Sequence, residues 1–113
     1  MKKIEAIIRP EKLQAVKDEL ERCGYPGIMI TEIEGHGKQK GVEQQWRGER
    51  YRVSLMPKIK IEIVAQDDRV ESIIKAIDKS AYTGQVGDGK IFVYDVVEAV
   101  RIRTHERGKS VVD

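Results

Sequence analysis

Apolar and polar residues alternate through "IEAII" at residues 4–8 and again through "KIKIEIVA" at residues 58–65. A period of two marks a strand with one buried face. In the second run Ile59, Ile61 and Ile63 share one side, and Lys58, Lys60 and Glu62 the other. Over residues 12–23 the period lengthens. Leu13, Val16, Leu20 and Cys23 recur at helical spacing, which assigns Cys23 to the packed face, and Gly24 follows as a C-terminal cap. Asp67 and Asp68 predict the start of a second helix, with Glu71 three residues after Asp68 as in a capping box. Val70, Ile73, Ile74, Ile77 and Ala81 form its apolar stripe, and Gly84 ends it. Residues 27–33 and 90–97 read as two further strands, and 100–104 as an extended continuation. From about residue 34 to residue 54 neither period persists. Connections beyond about 12–15 residues are uncommon in compact domains and usually functional or disordered.

The order is strand, helix, strand, long polar stretch, strand, helix, strand. Each half needs a right-handed crossover over a shared sheet. The solution is a four-stranded antiparallel sheet with two helices on one face, an α+β ferredoxin-like βαββαβ sandwich. The other face draws on Ile7, Lys58, Lys60, Glu62, Val64, Phe92 and Tyr94, a mixture that predicts packing against further copies of the chain.

Composition narrows the picture. The 113 residues suit one domain, 40% hydrophobic and 35% charged, and a core of this size leaves much surface. A formal charge of only +2 speaks against a nucleic-acid binder. Cys23 is the single cysteine, which excludes an intrachain disulfide. With only His36 and His105 it forms no zinc constellation. No leader or spanning run is apparent, so the expected location is the cytoplasm.

Candidate chemistry concentrates in "TGQVGDGKIFV", residues 83–93. Gly84, Gly87 and Gly89 permit positive φ and close approach of a ligand. Successive amide N–H groups in such a turn form an anion-binding concavity, and Lys90 adds a point charge suited to phosphate. Arg101 and Arg103, two apart on a segment predicted to be extended, would project to one side and clamp a polyanion. Neither a Walker loop nor a dinucleotide fingerprint occurs. On local physics alone, a tight turn with solvated charges remains an alternative.

Taken together, "MKKIEAIIRPEKL", "GHGKQKG", "PKIKIEIV", "TGQVGDGKIFV" and "RIRT" resemble the PII nitrogen-regulatory signal-transduction family over nearly the whole chain. The resemblance implies a homotrimer with ATP or ADP in clefts between subunits and a long T-loop at about residues 36–54. It implies that Gly87, Asp88, Gly89 and Lys90 surround the phosphates and that Arg101 and Arg103 complete the clamp, Arg103 from a neighbour. Gly37, Lys38 and Gln39 approach from the T-loop base, while Ile7, Gly27, Met29, Glu62 and Val64 lie around adenine and ribose. A second effector, 2-oxoglutarate, is implied beside MgATP. It would meet Gln39, Lys40, Gly41, Lys58 and Gly87, with Gln39 also on the magnesium. The T-loop would dock on an ammonium transporter or on enzymes of nitrogen assimilation, the former drawing the protein to the membrane.

Tyr51 stands where the family often carries a tyrosine modified by a nucleotidyltransferase, most often by uridylylation. The setting "WRGERY" departs from the family pattern, with Trp46 in place of tyrosine and Glu49-Arg50 in place of Ala-Glu. Packing of Tyr51 against the loop stem is the alternative. Met29 replaces a usual threonine and removes a hydroxyl. His105 replaces a usual glycine and is read as exposed.

Two rival functions share the βαββαβ order. A phosphate-handling enzyme of the acylphosphatase type needs an asparagine to place water, and this chain contains none. A nucleoside diphosphate kinase needs a phospho-accepting histidine in a cleft, for which neither histidine has the setting. An RNA-binding module would stack bases on central-strand aromatics, for which Phe92 and Tyr94 are candidates, but the accompanying motif is missing. No catalytic residue is assigned.

Overall fold

A computed structural model describes residues 1–25, 27–35, 42–46, 49–53 and 56–112, with side chains described outside 35–55. Among the described residues, six strands and two α-helices follow in the order β1 (Lys2–Ile8), α1 (Leu13–Arg22), β2 (Met29–Gly35), β3 (Val42–Trp46), β4 (Glu49–Val53), β5 (Met56–Ala65), α2 (Val70–Ala81) and β6 (Lys90–Asp95). The main sheet runs β2-β5-β1-β6 with all neighbours antiparallel. This is the ferredoxin-like βαββαβ arrangement, as the alternating periods predict.

The core lies between the helices and one face of the sheet. Ile4, Ala6 and Ile8 of β1 and Ile59, Ile61 and Ile63 of β5 meet Val16 and Leu20 of α1 and Ile73 and Ile77 of α2. Each fully buried isoleucine contributes roughly 1.5–3 kcal/mol through its removal from water. Both helices begin with a short 3-10 turn, Pro10–Lys12 before α1 and Asp67–Arg69 before α2. Helix α1 closes on a Schellman pattern. Gly24, at φ 90°, donates its N–H to Glu21 O at 3.0 Å, and Tyr25 N donates to Leu20 O at 2.8 Å.

Several expectations change. The capping box at Asp68 does not form, because the 3-10 turn places Arg69 at the N-cap with no side-chain hydrogen bond. Helix α2 ends at Ala81 rather than Gly84, and Tyr82 already has extended backbone. Cys23 is exposed rather than packed, since α1 stops at Arg22 and the glycine turn carries the chain away. The unpatterned stretch contains a two-stranded hairpin, β3 with β4, in which Val42 stands across from Val53 and Gln44 from Tyr51. Strand β6 stops at Asp95. Residues 100–104 are not extended: Val100 bridges to Arg107, Arg101 N donates to Glu106 O at 2.9 Å, and His105 N donates to Arg101 O at 2.7 Å. His105 takes φ 63° there and is exposed, at the position where the resemblance places glycine.

The sheet face away from the helices is charged and half-buried. Lys3 lies 3.2 Å from Glu62, and Lys60 lies 3.8 Å from both Glu5 and Glu62. Tyr94 donates its hydroxyl to Glu5 at 2.8 Å. Lys58 departs from this pattern: it is 9% exposed, covered by the glycine turn.

Candidate anion-binding site

Residues 83–90 join α2 to β6 and form a tight polar turn at one end of the sheet. Gly84, Gly87 and Gly89 have φ of 86°, 103° and 100°. At Gly89 the requirement is absolute, because a Cβ there would stand 1.7 Å from the carbonyl oxygen of Ile7. The turn is therefore seated directly on the end of β1.

Asp88 organises the turn from within. Its carboxylate accepts the Thr83 hydroxyl, the Thr83 N–H at 2.8 Å and the Gly84 N–H at 2.8 Å. Arg9 Nε donates to the same carboxylate at 3.1 Å, and Arg9 Nη2 donates to Val86 O at 2.8 Å. The Thr83 hydroxyl, the Thr83 and Gly84 amides and Arg9 hold the Asp88 carboxyl well below the usual carboxylate range, so it is an anion at neutral pH. From the opposite side Lys58 Nζ donates to Gly87 O at 2.8 Å. Burial pushes the Lys58 ammonium pKa below its ordinary value, and the nearby Arg9 cation adds to the effect.

Lys90 begins β6, is exposed, and stands across from Ile7, which is itself across from Lys60. One chain thus brings Ile7, Lys58, Gly87, Asp88, Gly89 and Lys90 together. Of the other described candidates, Glu62 lies 3.8 Å from Lys60, the partner of Ile7, while Met29, Val64 and Gly27 stand farther along the sheet. Met29 is paired with Glu62, and Val64 with Lys3. Val64 is four residues beyond Lys60 along β5, roughly 13 Å at strand rise. Gly27 lies just before β2 with open space around it.

The arginine pair is also apart from the turn's own network. Arg101 is ion-paired to Glu106 at 2.9 Å within the C-terminal turn. Arg103 is exposed, and the non-extended backbone removes the strand alternation that would have aligned the two. Gly37, Lys38, Gln39, Lys40 and Gly41 lie outside the described residues. Tyr51 lies in β4. Among the described residues no group of three or more His, Cys, Asp or Glu side chains is placed to hold a metal ion.

A pocket of about 240 Å³ opens between α2 and the start of β6, walled by Ile74, Ile77, Asp78, Ile8 and Ile91 and sharing Gly89 with the turn. Sequence reasoning missed Arg9 and Thr83. Arg9 precedes Pro10, which biases it to extended backbone at the end of β1; its backbone is at φ −66° and ψ 140°.

These features define a class: a ferredoxin-like domain with a glycine turn seated between Lys58, Lys90 and Arg9. The family model described as Nitrogen regulatory protein P-II matches residues 1–106, and the chain belongs to that family. It is 54% identical to Nitrogen regulatory protein P-II 2 of Methanothermobacter thermautotrophicus over 112 residues, covering 99% of this chain and 97% of that protein. It is also 54% identical to Nitrogen regulatory protein P-II of Rhodospirillum rubrum, covering 99% of this chain and 100% of that protein. The Azospirillum brasilense protein of the same name is 53% identical over 112 residues, covering 99% of this chain and 100% of that protein.

Proposed function

We propose that this protein is a nitrogen-regulatory sensor that binds ATP or ADP at the glycine turn and, with MgATP, 2-oxoglutarate. The observation that carries the reading is the turn itself. Gly87 and Gly89 hold left-handed backbone beside Lys90, while Lys58 is buried against the same backbone. Such a surface offers amide N–H groups and ammonium ions to phosphate oxygens.

The division of the candidate residues supports a cleft shared between subunits. Ile7, the turn and Lys90 lie at one end of an open sheet face and Met29 and Val64 farther along it, and a second copy packed on that face would close the space into a cleft. Exposed apolar residues on the edge strand β6 and beyond it, Phe92, Val93, Val97 and Ile102, fit burial in a homotrimer. Arg103 then comes from a neighbour. Gln39 would help to hold a magnesium ion brought with the nucleotide phosphates, and that ion would offer coordination positions to the oxygens of the keto acid. Lys58 pairs with the distal carboxylate of the keto acid, for which Gln39, Lys40 and Gly41 are the further candidates.

Two nucleotide states then favour two T-loop arrangements, and the loop reports by binding an ammonium transporter or nitrogen-assimilation enzymes in the cytoplasm. Regulation rather than catalysis is the output. A nucleotidyltransferase acting on Tyr51 would add bulk and charge to the docking surface, which intact-mass measurement of protein from nitrogen-limited cells detects. Isothermal titration tests the central reading. Heat from 2-oxoglutarate is expected only when MgATP is present, and equal binding without nucleotide overturns it.

A further inference from the structure

We propose that Arg9 is a positioning residue for the anion site: it withdraws the turn's own negative groups so that the amide poles face the ligand. This rests on the reading that residues 83–90 receive phosphates. The difficulty it resolves is Asp88. A carboxylate in the middle of a phosphate-binding turn opposes its ligand by like-charge repulsion. Here that carboxylate is drawn inward by Arg9 Nε at 3.1 Å and by donors at Thr83 and Gly84. The same guanidinium reaches the next negative pole, Val86 O, through Nη2 at 2.8 Å. Lys58 takes the third, Gly87 O, at 2.8 Å.

Three successive oxygen-bearing groups, at residues 86, 87 and 88, are therefore bound to cations from the ends of β1 and β5. The fork geometry matters. A guanidinium serves a carboxylate and a carbonyl at once with fixed spacing, which a single ammonium does not. Pro10 restricts the backbone of Arg9 and so aims the side chain. Arg9 Nη1 also lies 3.9 Å from Glu11, an exposed acid.

The test combines Arg9→Met, Arg9→Lys and Asp88→Asn with ATP titration of the full-length chain. Arg9→Met removes the guanidinium and is expected to weaken ATP about tenfold or more, the scale of one lost charge-assisted contact. Arg9→Lys keeps the charge but spans only one acceptor, and is expected to recover part of the loss. In the Arg9→Met/Asp88→Asn double variant the Arg9 penalty should shrink, because no carboxylate charge remains to be withdrawn. Full additivity of the two single effects overturns the proposal, since it would mean that Arg9 meets the phosphates directly or acts only through folding. If Arg9→Met does not fold, Arg9→Lys decides: wild-type ATP affinity in that variant overturns it. If the wild-type chain itself binds no ATP, the failure lies in the phosphate reading, and the amide shifts of Gly87 and Gly89 in Arg9→Lys then decide whether Arg9 shapes the turn. Unchanged shifts refute it.

Discussion

Lys58 Nζ donates a 2.8 Å hydrogen bond to the carbonyl oxygen of Gly87, joining the start of β5 to the middle of the glycine turn. The ammonium keeps two further N–H donors, so a carboxylate ligand can join that carbonyl on the same cation. The turn proposed to meet the phosphates and the cation proposed to meet the keto acid are thereby a single connected unit. A shift of the turn on phosphate binding would move the cation proposed for the keto acid, which would couple the two ligands.

Replacement of Lys58 by methionine keeps the aliphatic stem and removes the ammonium. ATP affinity is expected to fall, because Gly87 O loses the cation that binds it, and at saturating MgATP the heat of 2-oxoglutarate binding disappears. A retained keto-acid response would assign the distal carboxylate to another cation.

The depressed pKa of Lys58 has a defined sign in stability. Folding disfavours its charged form, so the unfolded chain holds more protons between the folded-state value and the ordinary 10.5. The burial penalty is full below the folded-state value and is relieved as pH rises across that window. Urea denaturation of wild type and Lys58→Met, compared from about pH 8 upward, should show wild type gaining on the variant. A constant difference would mean that the ammonium is not desolvated.

Asp88 acts in the opposite direction. Its folded-state pKa lies below the ordinary 3.8, so its contribution is fully present above that value and is lost as pH falls through the folded-state value. Denaturation between about pH 5 and about pH 2 should therefore show a steeper acid loss for wild type than for Asp88→Asn. Parallel acid limbs would leave the Asp88 network without energetic weight.

Gly89→Ala should lower stability by about 3 kcal/mol or more, because positive φ and the clash with Ile7 O act together. Gly27→Ala is the control: its Cβ meets nothing within 4 Å, and its stability should stay close to wild type. Thermal melts of both variants check the contrast, and a Gly89→Ala variant as stable as wild type would displace the turn from β1.

His105→Gly should leave stability unchanged or raise it by up to about 1 kcal/mol, since a non-glycine residue at φ 63° carries steric strain that glycine lacks. A clear loss in the melt would show that the imidazole makes a contact that offsets the strain.

Local periodicity alone determined much of this protein. The alternation of Ile59, Ile61 and Ile63, the helical spacing of Ile73 and Ile77, and the glycines before Lys90 are short-range patterns, each legible within a few residues. They were enough for the βαββαβ order and for a glycine turn ahead of the last strand. The hairpin of β3 and β4 escaped because its alternation is short and polar, and the turn at residues 101–107 because a non-glycine residue holds its left-handed position. The partners of the turn were decided only by the tertiary structure. Arg9 and Asp88 are 79 positions apart, and Lys58 and Gly87 are 29 apart. Neither pairing follows from a period of two or 3.6, because each depends on strand register and on where the crossover from α2 lands. Sheet packing converts an ordinary surface arginine and an alternating-strand lysine into the cations that shape the site.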